Sequence, residues 1–352
     1  MNKLVFDMKD RRPVWALPNW AVERIREALP TDWVLTVVKT PSDGSGDGSA
    51  QANNEVLAAV KDARVYMGFG IPPEVLTTGT LLEWVHSGAA GIGSSITPEM
   101  LESPVRFTNS AGVHGSPMAE TALGMILHFA RGFDFALEGK ARGRWDTNPF
   151  YNDDSPIREL GESVVGILGL GGIGGEIAKR ALSMGAKVIG LRRDMSGSDG
   201  CTDRTGGTLD KRLRVVTGED GLYELLGESH YVVVSAALTS ATRGIVSRGA
   251  LEAMKPDAVL VNISRGALVD EEALVDALRE GRLRGAGLDV FDEEPLPVDH
   301  PLWHLPNVIL TPHVSAVTRS YWRREVELIL ENLRRFLEDD RLVNLVNKIE
   351  GY

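Results

Sequence analysis

Short runs of apolar and β-branched residues alternate with stretches of helical periodicity along most of the chain. Leu4-Val5-Phe6, Trp33 to Val38, Ala63 to Met67, Trp84-Val85 and Val105 to Thr108 read as strands. Between them, Trp20 to Leu29, Asn54 to Lys61 and Pro98 to Leu101 read as helices or helical turns. A longer helical pattern runs from Ser116 through about Leu137, with Met118, Ala122, Met125, Ile126 and Phe129 on one stripe. Its length and position suit a link between two domains. A second series begins at Val164 and contains strands Val164 to Leu168, Lys187 to Leu191, Val215-Val216, Tyr231 to Val234, Ala258 to Asn262, Ala286 to Val290 and Asn307 to Thr311. A helix from about Ser320 to Glu338 closes it. Several of these strands are nearly continuous apolar runs, the pattern of strands covered on both faces. The predicted fold class is α/β, with two doubly wound parallel-sheet domains. No repeat of fixed period accompanies this shared architecture.

Length and charge narrow the picture. At 352 residues the chain exceeds one ordinary core, since domains run to roughly 100–200 residues. Lys and Arg number 38 against 49 Asp and Glu, a net charge of −11, which argues against binding a nucleic-acid backbone. A hydrophobic fraction of 43% with 25% charged residues is that of a folded soluble protein. The single cysteine, Cys201, excludes an internal disulfide and a cysteine-based zinc site. Lys3, Asp7 and Lys9 interrupt any signal-type run at the N-terminus, and no apolar stretch approaches the roughly 18–20 residues of a membrane span. The expectation is a cytoplasmic, reduced protein with no membrane partner. Pro41 to Ala50 and Ser196 to Gly207 are polar, glycine-rich and read as loops.

Glycine is used differently in Gly169-Leu-Gly171-Gly172-Ile173-Gly174, which follows a strand directly and opens the helical pattern Gly175 to Met184. In that context the spacing is the dinucleotide-binding turn: Gly169 for the tight turn, Gly171 for close approach of a pyrophosphate, Gly174 for helix-strand packing. The first-turn amides and the helix dipole then hold phosphate charge. At the end of the next strand, about 20 residues on, an NAD site places an acid for the ribose. Here the segment is Leu191-Arg192-Arg193-Asp194. Two guanidinium groups suit a 2′-phosphate, so NADP(H) is favoured over NAD(H). A register shift that gives Asp194 the ribose role is the alternative.

Position must choose among the seven histidines, His86, His114, His128, His230, His300, His304 and His313. His313 lies in Thr311-Pro-His313, at the carboxyl end of a buried strand, the edge where open α/β sheets bind ligands. His300 and His304 have metal-pair spacing, but Pro301 and Pro306 argue against a helix there, and no metal is expected. Two further strand ends carry Arg265, in Asn262-Ile-Ser-Arg265-Gly266, and Glu294, in Asp289-Val-Phe-Asp-Glu-Glu294-Pro295. A cation to hold a 2-keto acid, an imidazole to exchange its hydroxyl proton and a carboxylate to orient the imidazole make a complete hydride-transfer site.

Gly166 to Gly174, Val261 to Gly266, Gly285 to Pro297 and Asn307 to His313 together strongly resemble the D-isomer-specific 2-hydroxyacid dehydrogenases. The likeness runs from the loop Ser87 to Gly91 to the final helix. The resemblance implies that Arg265 binds and polarises the keto acid, His313 is the general acid/base and Glu294 holds His313. Asp289 matches the family's partner for the nicotinamide amide, and Ala90-Gly91 its substrate-carboxylate loop, acting through backbone amides. Gly172, Ile173, Ala237, Thr242 and Ile263 match cofactor contacts. It further implies a flavodoxin-like substrate domain (1–112 plus 319–352), a Rossmann NAD(P)-binding domain (113–318) inserted in it, and a homodimer joined through the cofactor domains. The small-molecule partner it implies is a 2-keto or D-2-hydroxy acid, such as glyoxylate or hydroxypyruvate. Formate dehydrogenases of this fold carry an amide at the position of Glu294. Arg192 stands where the family usually has an NAD-selecting acid, and Ala237 where it commonly has proline. The chain stops at Tyr352, so amino-acid feedback through an appended regulatory domain is not expected. Two other readings keep part of this constellation. One is a dinucleotide-sensing protein of the corepressor type, and the other a dehydrogenase of an inorganic acid such as phosphite.

Overall fold

The computed structural model describes residues 1–40, 51–193 and 210–350. The Pro41 to Ala50 and Ser196 to Gly207 segments, Cys201 and Asp194 lie outside the described residues. The chain divides into two compact units: unit 1 is Met1–His114 with Val317–Tyr352, and unit 2 is Gly115–Ala316.

In chain order, unit 1 begins with β1 (Asn2–Asp7), α1 (Asn19–Ala28), β2 (Trp33–Val37), α2 (Asn54–Val60), β3 (Val65–Gly68), α3 (Pro73–Thr78), β4 (Trp84–Ser87), α4 (Pro98–Glu102) and β5 (Arg106–Asn109). Its strands form a parallel sheet in the order β2-β1-β3-β4-β5, a flavodoxin-like order. Helix α3 was not legible as periodicity, because Pro73 to Thr78 is short and has one buried apolar residue, Val75.

Unit 2 contains α5 (Gly115–Ala130), α6 (Phe133–Ala141), α7 (Asn148–Tyr151), β6 (Val164–Leu168), α8 (Gly172–Ser183), β7 (Lys187–Arg192), β8 (Leu213–Thr217), α9 (Gly218–Glu228), β9 (Tyr231–Val234), α10 (Arg248–Glu252), β10 (Val259–Asn262), α11 (Glu271–Arg279), β11 (Gly285–Leu288) and β12 (Val308–Leu310). The seven strands are parallel in the order β12-β11-β10-β9-β6-β7-β8. The order reverses between β6 and β9, the topological switch point where such sheets take ligands. Helix α12 (Tyr321–Leu337) then returns to unit 1 and lays Val326, Ile329, Leu333 and Phe336 into its core.

The single helix expected from Ser116 to about Leu137 is two helices. Gly132 adopts a left-handed conformation (φ 67°), which ends the first and starts the second at Phe133. Nor is α5 merely a connector. It belongs to unit 2, where Met125 and Phe129 lie over Gly287 and Gly285 of β11; side chains at those glycines would collide with them. Both sheets carry apolar cores on both faces, as the uninterrupted runs imply.

Candidate functional site

The switch point is built by close backbone packing. Gly169 has φ 98°, and a Cβ there would fall 2.5 Å from Ala236 Cα just beyond β9. A Cβ on Gly174 would fall 2.2 Å from the Gly169 carbonyl oxygen, so the first turn of α8 can sit only on a glycine. Around Gly171, by contrast, nothing lies within 4 Å of a Cβ, which leaves open space at the helix N-terminus beside Gly172 and Ile173. Ser235 Oγ donates to the Gly169 carbonyl at 2.9 Å and steadies the turn. Tight glycines behind and an open one in front form a cradle that fits a dinucleotide pyrophosphate.

Arg192 is the last residue of β7, and Arg193 follows it on the exposed surface. Beyond β9, Thr242 Oγ1 donates to the Ala237 carbonyl at 2.7 Å and accepts from Thr239 N at 2.8 Å. That pair of bonds secures a loop that lacks proline at position 237. Ile263 is buried in the core of unit 2, which leaves its main chain rather than its side chain for a ligand.

The three residues expected to do acid-base work, Arg265, Glu294 and His313, lie on the loops that follow β10, β11 and β12. His313 Nδ1 lies 2.7 Å from Glu294 Oε2, while Glu294 Oε1 accepts from Phe291 N at 3.0 Å. The imidazole is thus fixed through one nitrogen to a carboxylate that is itself tied to the backbone. His313 has φ 54°, a left-handed conformation uncommon outside glycine and costly for a residue with a side chain. What holds it there is Asp289. The His313 amide donates to the Asp289 carbonyl at 2.8 Å. The Asp289 carboxylate accepts from Thr311 Oγ1 (2.6 Å), Val314 N (2.9 Å) and Ser315 N (2.9 Å). The family resemblance implies that Asp289 faces the nicotinamide amide; the structure encloses its carboxylate, 0% exposed, within the loop that carries His313.

Arg265 stands at the end of β10, where Asn262 Nδ2 donates to its carbonyl at 2.9 Å and its own Nη1 donates to the Ser264 carbonyl at 2.6 Å. Gly266 explains why this loop can meet the one bearing Glu294. A Cβ on Gly266 would sit 1.9 Å from the carbonyl carbon of Phe291, so only glycine permits the two strand-end loops to touch. Gly266, Ser264 and Thr311 were visible in the motifs without a readable role, because their work is packing and loop bonding across strands. His300, by contrast, lies 3.2 Å from Glu271, and Pro301–His304 forms only a 3₁₀ turn. In unit 1, Ala90 and Gly91 lie in the loop after β4, where Asn109 Nδ2 donates to the Ala90 carbonyl at 2.9 Å.

A dinucleotide cradle at the switch point and an ordered imidazole–carboxylate pair on neighbouring strand ends define an NAD(P)-dependent oxidoreductase. Residues 123–315, within unit 2, match the family model for the NAD-binding domain of D-isomer specific 2-hydroxyacid dehydrogenases, and the chain belongs to that family. It is 31% identical over 316 residues to a glyoxylate reductase of Korarchaeum cryptofilum, covering 86% of this chain and 88% of that one. It is also 31% identical over 300 residues to the D-3-phosphoglycerate dehydrogenase of Methanocaldococcus jannaschii, covering 83% of this chain. The match spans only 53% of that relative, about half its length. A solved D-isomer specific 2-hydroxyacid dehydrogenase from Xanthobacter autotrophicus Py2, in complex with NADPH and MES, aligns with a TM-score of 0.78 at 27% identity, covering 100% of this chain and 99% of that one.

Proposed function

We propose that the protein reduces a small 2-keto acid of the glyoxylate or hydroxypyruvate type to its D-2-hydroxy acid, with NADPH as reductant. The observation that carries this reading is the 2.7 Å bond between His313 Nδ1 and Glu294 Oε2, on a loop locked by Asp289. Bound NADPH supplies the hydride that the carbonyl carbon accepts. With Nδ1 facing Glu294, Nε2 is the nitrogen that delivers a proton to the carbonyl oxygen. Glu294 holds the imidazole in place for that transfer, and Arg265 holds the oxygen as negative charge develops. The amides of Ala90 and Gly91 offer the donors that a substrate carboxylate accepts. Unit 2 is then the cofactor-binding unit and unit 1 the substrate unit.

NADPH is favoured by Arg192 and Arg193 at the end of β7, where a 2′-phosphate would meet guanidinium groups rather than a carboxylate. Arg192→Asp is expected to lower the NADPH-over-NADH ratio of kcat/KM by about tenfold or more. An unchanged ratio would remove Arg192 from cofactor selection. The partner proposed for the chain is a second copy of itself, joined through unit 2, where Phe133, Leu137, Trp145 and Tyr151 expose large apolar groups on and between α6 and α7. A screen of 2-keto acids at the nicotinamide absorbance, with NADPH and NADH in parallel, tests the function. Absence of turnover with every keto acid and either cofactor would overturn it.

A further inference from the structure

The loop after β4 is held in a way its sequence does not announce. Four successive carbonyls each receive a hydrogen bond from the end of β5 or the start of α12. The Ser87 carbonyl accepts from Ser110 Oγ at 3.0 Å, and the Gly88 carbonyl from the Tyr321 hydroxyl at 3.0 Å. The Ala89 carbonyl accepts from Ser110 N at 3.3 Å, and the Ala90 carbonyl from Asn109 Nδ2 at 2.9 Å. In a planar trans peptide, the C=O of one residue and the N–H of the next point in opposite directions. Pinning the carbonyls of Ala89 and Ala90 to β5 therefore aims the amides of Ala90 and Gly91 away from it. Neither amide has a hydrogen-bond partner among the described residues. Two adjacent amides aimed outward by a fixed backbone are a ready site for a carboxylate.

The residues that pin the loop are themselves anchored in the interior of unit 1. With its one proton on the Ser87 carbonyl, Ser110 Oγ joins the fully buried His86–Glu325 pair (2.9 Å) as an acceptor, 3.3 Å from His86 Nε2. Trp84 Nε1 can only donate, and it donates to Thr108 Oγ1 at 2.8 Å. The Thr108 proton is thereby available to His86 Nδ1 at 2.8 Å, which leaves Nε2–H to donate to Glu325. The Asn109 side chain is set by Ala111 N, which donates to its Oδ1 at 3.2 Å. Tyr321 is wedged among Trp15, His114 and Trp322, with ring centroids at 4.8, 5.3 and 5.1 Å.

We propose that Asn109 and Ser110 are positioning residues that set the affinity for the substrate carboxylate by holding the backbone of Ser87 to Gly91, Asn109 through the Ala90 carbonyl and the Ser110 hydroxyl through the Ser87 carbonyl, with the His86–Glu325 pair packed beside Ser110 in the buried interior. The proposal rests on the reading of Ala90-Gly91 as the carboxylate loop. It expects Asn109→Ala and Ser110→Ala each to raise KM for the 2-keto acid by about tenfold, the worth of one ordinary hydrogen bond. The kcat and the KM for NADPH should stay within about twofold, and Ser110→Thr, which keeps the hydroxyl, should restore KM. A purely structural role would instead lower the amount of active enzyme without this selectivity. Should Asn109→Ala fail to fold, Asn109→Leu, close in volume and lacking the donor, carries the same expectation. Gly91→Pro, which deletes one of the two amides, separates the two ways of failing. If it raises KM while the Asn109 and Ser110 variants do not, the positioning role is overturned and the carboxylate loop stands. If Gly91→Pro leaves KM unchanged, the carboxylate loop falls and the positioning role with it.

Discussion

Replacing His313 with alanine is expected to lower kcat by about 10³ while NADPH still binds with near-native affinity. Removing a positioned general acid costs 10²–10⁴ in rate. Here the loss should be large, because the structure devotes several groups to one imidazole. Glu294 fixes its Nδ1, and the Asp289 carboxylate and carbonyl hold its loop in a left-handed conformation. The cradle at Gly169 to Gly174 is formed by other residues on other elements, so cofactor affinity should survive. Steady-state kinetics beside a fluorescence titration with NADPH make the comparison. Native turnover in the variant would defeat the assignment of His313 as acid. Glu294→Gln should lose less, about 10–10² in kcat, since the amide oxygen can still accept from the imidazole while its NH₂ cannot accept from Phe291 N.

The second large effect lies in unit 1 and concerns stability. Asp7 ends β1 and is buried; its Oδ2 accepts from the Tyr66 hydroxyl at 2.8 Å, while Oδ1 has no partner among the described residues. Burial pushes its pKa from 3.8 up to about 7, opposed by the Tyr66 bond and helped by the nearby charge of Glu55. The unfolded chain gives up this proton near pH 3.8, whereas the folded chain keeps it until about 7. Stability from this group is therefore full at the acid end and falls as pH rises from 3.8 to about 7, then levels off. The separation corresponds to roughly 4 kcal/mol. Asp7→Asn, neutral throughout, should gain on the native protein by roughly 10 °C in Tm between pH 4 and pH 8. A gap between the two melting temperatures that stays constant across that range would show that Asp7 ionises normally in the folded state.

The elements were legible to different degrees, for physical reasons. The strands of unit 2 are apolar runs that can be buried only one way, and their positions followed from pattern alone. The break at Gly132 did not follow, because a single left-handed residue leaves the apolar periodicity on either side undisturbed. Among the site residues, the Gly169 to Gly174 turn and the trio Arg265, Glu294 and His313 stood out as unusual chemistry at strand ends. Asp289 stood out too, but its enclosure by Thr311, Val314 and Ser315 became visible only when β11 and β12 were set side by side. Asn109, Ser110, His86 and Glu325 carried no signal. His86 and Glu325 are 239 residues apart in the chain, and no local pattern connects them.

By itself, the order of residues determined the alternation of strands and helices, the dinucleotide turn and the family, since each depends on neighbours within one supersecondary unit. Only the tertiary structure decided which carbonyls are pinned, which amides are left outward and which carboxylate locks the loop of His313. Hydrogen bonds are short-range and directional, so those outcomes depend on distances of a few ångströms between segments far apart in sequence.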